Sequence, residues 1–275
     1  MAQIPNNDSK GKGASNDRSQ GTRDIGVLAV LVVLAMLTRN SGAFGSNDNI
    51  SSKITNTSEI TRETDDFAGK SVTIRSKPVK RIGVRSFTVT DRRFVGGKPI
   101  VVVNASGVPF DLPKDRNTEV QVTGQVRKLD IPKIERDFKL NIQDEYYKDY
   151  INQPAIIARD ITLAPKPGQV AANPEQYYNK RVAIMGKVKD VHSPTLVNLN
   201  EGGLISGKDL PIVLSQKPKV AINEGQTVVV MGKVRPFVAS DTERNNKMNL
   251  NSDVKRKLQT EYGDTPVLVA DSVFP

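Results

Sequence analysis

Val120-Gln-Val-Thr-Gly-Gln-Val-Arg127 is written again further along the chain as Val228-Val-Val-Met-Gly-Lys-Val-Arg235. Both stretches carry the apolar spacing of a strand, and both place a glycine, Gly124 or Gly232, at its centre. Glycine weakens a strand interior, so the same glycine in the same place twice predicts a bulge or bend that closes a small barrel.

The repeat extends on both sides. Phe67-Ala-Gly-Lys-Ser-Val-Thr-Ile-Arg75 matches Tyr177-Tyr-Asn-Lys-Arg-Val-Ala-Ile-Met185, and Pro99-Ile-Val-Val-Val103 matches Pro211-Ile-Val-Leu-Ser215. Tyr150 to Ala158 matches Tyr262 to Ala270. The matches keep their order at a shift of about 110 residues, a period that means tandem domains and not a solenoid. Within each unit the alternation around Val72 and Ile74, or Val182 and Ile184, reads as a first strand. Phe87–Thr90 and Leu196–Leu199 give second strands, and the apolar runs Ile100–Val103 and Ile212–Leu214 give buried third strands. The glycine strand is the fourth, and a fifth follows Pro154 or Pro266. Between fourth and fifth, Ile134, Phe138, Ile142, Tyr146 and Tyr150 recur every four residues as one face of a helix, with Leu140-Asn141 as a point where it can break. The second unit has a shorter helix over Val254–Tyr262, ended by Gly263.

Mainly β, with two tandem small Greek-key barrels and short helical inserts, is therefore the expected fold class. The pattern Gly-Lys-x-Val-Thr-Ile, Phe-Thr-Val, Ile-Val-Val-Val, Val-x-Val-x-Gly-x-Val-Arg and Tyr-x-x-x-Pro-x-Ile-Ile-Ala resembles OB-like domains of membrane-anchored or exported, largely uncharacterised bacterial proteins. The resemblance covers both units, about three quarters of the chain, and carries no catalytic motif. It departs from the usual OB order, which sets the helix between strands three and four.

The units are preceded by three segments of different composition. Residues 1–24 are polar and expected to be disordered. Ile25–Leu37 is apolar on every face. At ~1.5 Å per residue such a helix is short against a ~30 Å bilayer core, so it reads as an uncleaved anchor or as the h-region of a signal peptide. Lys10, Lys12, Arg18 and Arg23 precede it, against Arg39, Lys53 and Arg62 after it, which predicts a cytoplasmic N-terminus and an extracytoplasmic globular part. Residues 38–65 read as a flexible linker, followed by units at 66–165 and 166–275.

Composition closes off several chemistries. The 275 residues include no cysteine and one histidine, His192, which argues against thiolate catalysis, cysteine-ligated metal and a His-rich site. Gly202 to Lys208 has the spacing of a phosphate-binding loop, but Asp209 stands where Ser or Thr is needed, and a strand follows where a helix should. Asp144 and Glu145 diverge on a helix, and Asp241 and Glu243 read as solvated loop residues. A non-enzymatic binding or scaffold module is the expectation, with no catalytic residue, metal or cofactor assigned.

The net charge of +10 favours anionic partners. Arg75, Lys77, Lys80, Arg81, Arg85, Arg92, Arg93 and Lys98 lie in strands one to three of the first unit with only Asp91 opposing them. They form the candidate binding face, for a protein partner or anionic lipid headgroups; a solvated surface is the plain alternative. Single-stranded nucleic acid is less favoured, because only Phe87 and Phe94 lie among these residues for bases to stack on.

Overall fold

The computed structural model describes residues 31–33, 51–90, 99–202, 208–237, 252–263 and 265–274. Strand β1 (Leu31–Val33) pairs antiparallel with β2 (Ser51–Thr55), and two short helices follow, α1 (Thr57–Arg62) and α2 (Thr64–Phe67). Five strands come next: β3 (Ser71–Ile82), β4 (Ser86–Thr90), β5 (Ile100–Asn104), β6 (Glu119–Lys128) and β7 (Pro154–Ala164). β3 pairs with β4, β4 with β5, β5 in parallel with β7, β7 with β6, and β6 returns to β3. The circuit is a closed five-stranded barrel with OB-like strand order. Val72, Ile74, Phe87, Val89, Ile100, Val102, Val120, Val122 and Ile156 fill it, and each is at most 4% exposed.

The second half repeats these pairings. β8 (Arg181–Ser193), β9 (Leu196–Asn200), β10 (Leu210–Leu214), β11 (Thr227–Pro236) and β12 (Pro266–Phe274) join as β8–β9–β10–β12–β11–β8, with β10–β12 parallel. Both expected bulges are present. The ladder shifts between Thr123 and Gly124 and again between Met231 and Gly232. A Cβ on Gly124 would overlap the Ile157 carbonyl and the Ala158 Cα, and one on Gly232 the Val269 carbonyl and the Ala270 Cα. Glycine is required at both positions because another backbone crosses too closely for a side chain.

The N-terminal region differs from its sequence reading. Leu31–Val33, inside the segment expected to be a helix, is a strand. Its β-branched Val32-Val33 suits the extended backbone, which pairs with β2. The rest of the tail and of the apolar segment lies outside the described residues, and among the described residues no helix is long and apolar enough to cross a membrane. Within 38–65, expected as linker, β2 runs parallel to β3 and α1 buries Ile60 completely in the barrel core. Helix α4 (Pro167–Ala172) buries Val170 in the same core ahead of the second barrel.

The insert of the first barrel also departs from a single helix. Asp130 caps α3 (Ile131–Phe138) by accepting from the Lys133 amide, and Lys139 ends it in the left-handed conformation. A 3-10 turn follows at Asp144–Tyr150. The tighter turn has a three-residue period, so Tyr147 and not Tyr146 turns inward.

The halves meet through one continuous core and several polar contacts. Leu163 of β7 pairs in parallel with Val182 of β8, as Ile54 of β2 does with Thr73 of β3. Tyr177 and Thr118 share a hydroxyl–hydroxyl bond of 2.9 Å, and the Gln169 amide donates to Asp115 at 2.9 Å. The outer row Thr73, Arg75, Gln121 and Thr123 of the first barrel is polar; the corresponding Ala183, Met185, Val229 and Met231 are apolar.

A candidate binding rim on the first barrel

In open OB barrels, oligonucleotides and oligosaccharides bind on the face of strands two and three. Here the insert covers that face. Phe87 and Val89 of β4 point into the barrel, so Ser86 and Thr88 point outward, yet each is only 1% exposed. Val101 and Val103 of β5, with Ala155 and Ile157 of β7, pack against Ile131, Ile134, Ile142 and Tyr147 of the insert. The Tyr147 hydroxyl donates to Ser86 Oγ at 2.7 Å; burial raises its pKa, and that bond partly offsets the rise. In the second barrel Leu196, Val213, Val267 and Val269 pack beneath Phe237 and Tyr262. Tyr262 belongs to helix α5 (Ser252–Tyr262), and its hydroxyl lies 2.6 Å from the Asn198 amide, which also meets His192 Nε2 at 3.1 Å.

The eight candidate basic residues are not one surface. Arg75 is withdrawn from it, with 6% of its side chain accessible. Its Nη2 donates to the carbonyls of Ala164 (3.2 Å) and Ala183 (3.1 Å), fastening one barrel to the other. Burial lowers its pKa to about 10, partly countered by Glu119 at 4.0 Å. Lys77 donates to Asn117, and Arg81 donates to the carbonyls of Val84 and Phe110 beside Asp111. Lys80 and Arg85 are exposed and make no ion pair among the described residues. Arg92, Arg93 and Lys98 lie outside the described residues.

The exposed remainder gathers at the tip of the β3–β4 hairpin, Gly83-Val84-Arg85. Val84 is 80% exposed, Val108 67% and Tyr146 50%. Three contacts bring them together. A Cβ on Gly83, whose φ is +55°, would stand 3.3 Å from the Tyr146 ring; Arg81 ties Val84 to Phe110; and the Asn104 amide nitrogens reach the Arg85 and Val108 carbonyls. The rim is thus a small apolar patch beside Arg85, with Glu145, Lys148 and Asp149 exposed on the adjoining 3-10 turn. Sequence reading passed over it, although a valine at a hairpin tip, where polar residues predominate, was a signal.

Among the described residues no group of three or more His, Asp or Glu side chains is placed to hold a metal ion. Residues 203–207 of the glycine loop are outside the described residues, and Lys208-Asp209 leads straight into β10. A groove of about 450 Å³ between the Gly69 turn and α3 mixes Arg127, Lys128 and Lys133 with Asp130 and Asp137, which leaves no dominant sign.

No protein-family profile matches the chain, and no curated protein does. Among solved structures it is similar to the crystal structure of fission yeast Pot1 and ssDNA, at 10% identity over 80% of this chain and 84% of that one, with a TM-score of 0.23. A likeness that loose carries no argument about function.

Proposed function

We propose that the chain is a non-enzymatic binding module of two tandem OB-like barrels that engages its partner at the rim of the first barrel, not on a strand face. The carrying observation is that the insert fills the strand face while leaving Val84, Val108 and Tyr146 exposed beside Arg85. The partner class that fits best is a protein, with anionic lipid headgroups next. A tether through Ile25–Leu37 with the barrels outside the cytoplasm rests on the apolar run and its flanking charges; such a tether requires Leu31–Val33 to leave β2.

A second reading, a cytoplasm-facing single-strand nucleic-acid binder, is favoured by one feature: the half-exposed Tyr146 ring beside a cationic hairpin could stack a base. A photo-crosslinking residue at position 84 of the full chain in its own cell tests both. Crosslinks to protein, absent when the probe sits at Lys133, support the first reading; crosslinks to nucleic acid support the second. No crosslink from position 84 removes the rim as the working surface. Protease accessibility of the barrels in intact cells tests their side of the membrane.

A further inference from the structure

The loop after the third strand closes the two barrels unequally. In the first barrel the β5–β6 loop returns Phe110 and Leu112 to the core, and the Phe110 ring lies 6.0 Å from that of Phe87. In the second barrel the β10–β11 loop returns Ile222 alone among the described residues. Val197 holds the place of Phe87 there, opposite Ile212 as Phe87 is opposite Val102. Smaller aliphatic groups thus stand where the first barrel has two rings, and a cavity of about 230 Å³ lies beside Ile222. Its floor is the barrel core at Leu214 and Ala270, and Ile222, Val273 and the exposed Val220 wall it.

Charge at this cavity is positive once its acid is counted. Lys217 and Lys219 line it from the loop, are exposed and make no ion pair among the described residues. Asp271 lines it too, but Arg181 donates to both of its oxygens and the Ser272 hydroxyl to one. The charge of Lys233 also falls on Asp271, and Glu224, further along the loop, accepts from the Val191 amide. We propose that the cavity binds a small amphiphile, a short aliphatic chain against Leu214, Ile222 and Val273 whose anionic head, carboxylate or phosphate monoester, meets Lys217 and Lys219. The chain leaves water while the head stays at the exposed lysines, so no charge is buried. The volume is below the ~300–1,000 Å³ of sites for drug-sized ligands, which suits a short chain and not a whole lipid. The site lies on the second barrel and does not depend on the rim of the first.

Titration of the methyl-labelled full chain with hexanoate, hexyl phosphate and hexanol, followed by NMR, tests it. The expected result is a saturable shift of the Leu214, Val220, Ile222 and Val273 methyl signals with an anion. The better anion should bind about tenfold more tightly than hexanol, the worth of two exposed charge contacts, and it names the head group. Reversing both cations, Lys217→Glu with Lys219→Glu, should bring the anions down to the level of hexanol or below. Ile222→Phe puts a ring where the first barrel has one and should abolish binding of all three. No saturable shift with either anion overturns the inference, as does hexanol binding as tightly as the anions. Undiminished binding to Ile222→Phe overturns it as well. The charge-reversed variant changes exposed positions only, so it decides the matter should Ile222→Phe fail to fold.

Discussion

Arg75 of the first barrel donates through Nη2 to the carbonyl oxygen of Ala183 in the second, 3.1 Å away, although 108 residues separate them. The guanidinium also holds Ala164, so one buried cation fixes the end of β7 and the start of β8 together.

The residue at the equivalent place in the second barrel is Met185, and this sets the first expectation. Arg75→Met should leave unfolding stability within about 1 kcal/mol of wild type, since a well-packed apolar replacement for a buried charge is often neutral or better. Arg75→Glu should cost about 3 kcal/mol or more by burying an uncompensated charge. Because burial holds Arg75 near 10, its charge is a cost to the folded state at pH values below that, and the cost fades as pH rises toward the ordinary value. Urea unfolding of the two variants separates the cases; equal losses would mean that Arg75 acts through its charge alone.

Gly124→Ala and Gly232→Ala should be among the most damaging single substitutions, each costing about 3 kcal/mol or more, because the obstacle is backbone that cannot step aside. Gly107→Ala is the control. Its φ is +78° but nothing lies within 4 Å of the added Cβ, so only about 1 kcal/mol of backbone strain applies. Thermal unfolding of the three variants should rank them in that order.

Removing the Tyr147 hydroxyl should cost more than removing that of Tyr262. Tyr147→Phe strands a buried Ser86 hydroxyl, a loss of about 1–2 kcal/mol. Tyr262 is only partly buried, and its partner Asn198 also reaches His192, so Tyr262→Phe should cost under about 1 kcal/mol. Hydrogen exchange at residues 144–150 should accelerate in the first variant and not in the second.

Two acids of the last strands should act oppositely on stability as pH changes. Burial raises the pKa of Asp160, with the Thr162 bond and the Arg181 and Arg159 charges pulling back. Its folded state therefore favours the proton, and its stabilising contribution is present at low pH and lost as pH rises through the raised value. Burial also pushes Asp271 up, but hydrogen bonds from Arg181 and Ser272, with the charges of Arg181 and Lys233, outweigh it and hold the acid below its ordinary range. Its contribution is present above the ordinary value and lost as pH falls through the lowered one. Asp160→Asn should thus stabilise at neutral pH, and Asp271→Asn should destabilise there and flatten the acid limb. Unfolding midpoints between about pH 3 and 7 would show it.

The strands, the bulges at Gly124 and Gly232 and the existence of both inserts were legible because each is set by local period or by a glycine. The four-residue spacing in the insert located Ile134 and Ile142 correctly and failed at Tyr146, once Lys139 broke the helix and the tighter turn changed the period. Ile60 and Val170 extend the repeat upstream of Phe67 and Tyr177, but two helices of six residues each are too short to give a periodicity to find. The fate of Arg75 was beyond local reading, since its carbonyl partners come from 89 and 108 residues downstream. The same holds for the covered strand face, which depends on where an insert comes to rest.

The unequal outer faces bear on the order in which the barrels are made. The first barrel has all its strands once residue 164 has emerged from the ribosome, at ~5–20 residues per second, but Ala183 is still inside the exit path. Until it arrives, the row Thr73, Arg75, Gln121 and Thr123 faces water, where hydroxyls, an amide and a guanidinium are well solvated. In the matching row of the second barrel Met185 stays exposed, but Ala183, Val229 and Met231 are buried and would be a sticky surface if they had to wait alone. It emerges last, when its cover is already folded, so a nascent chain is spared an exposed apolar sheet.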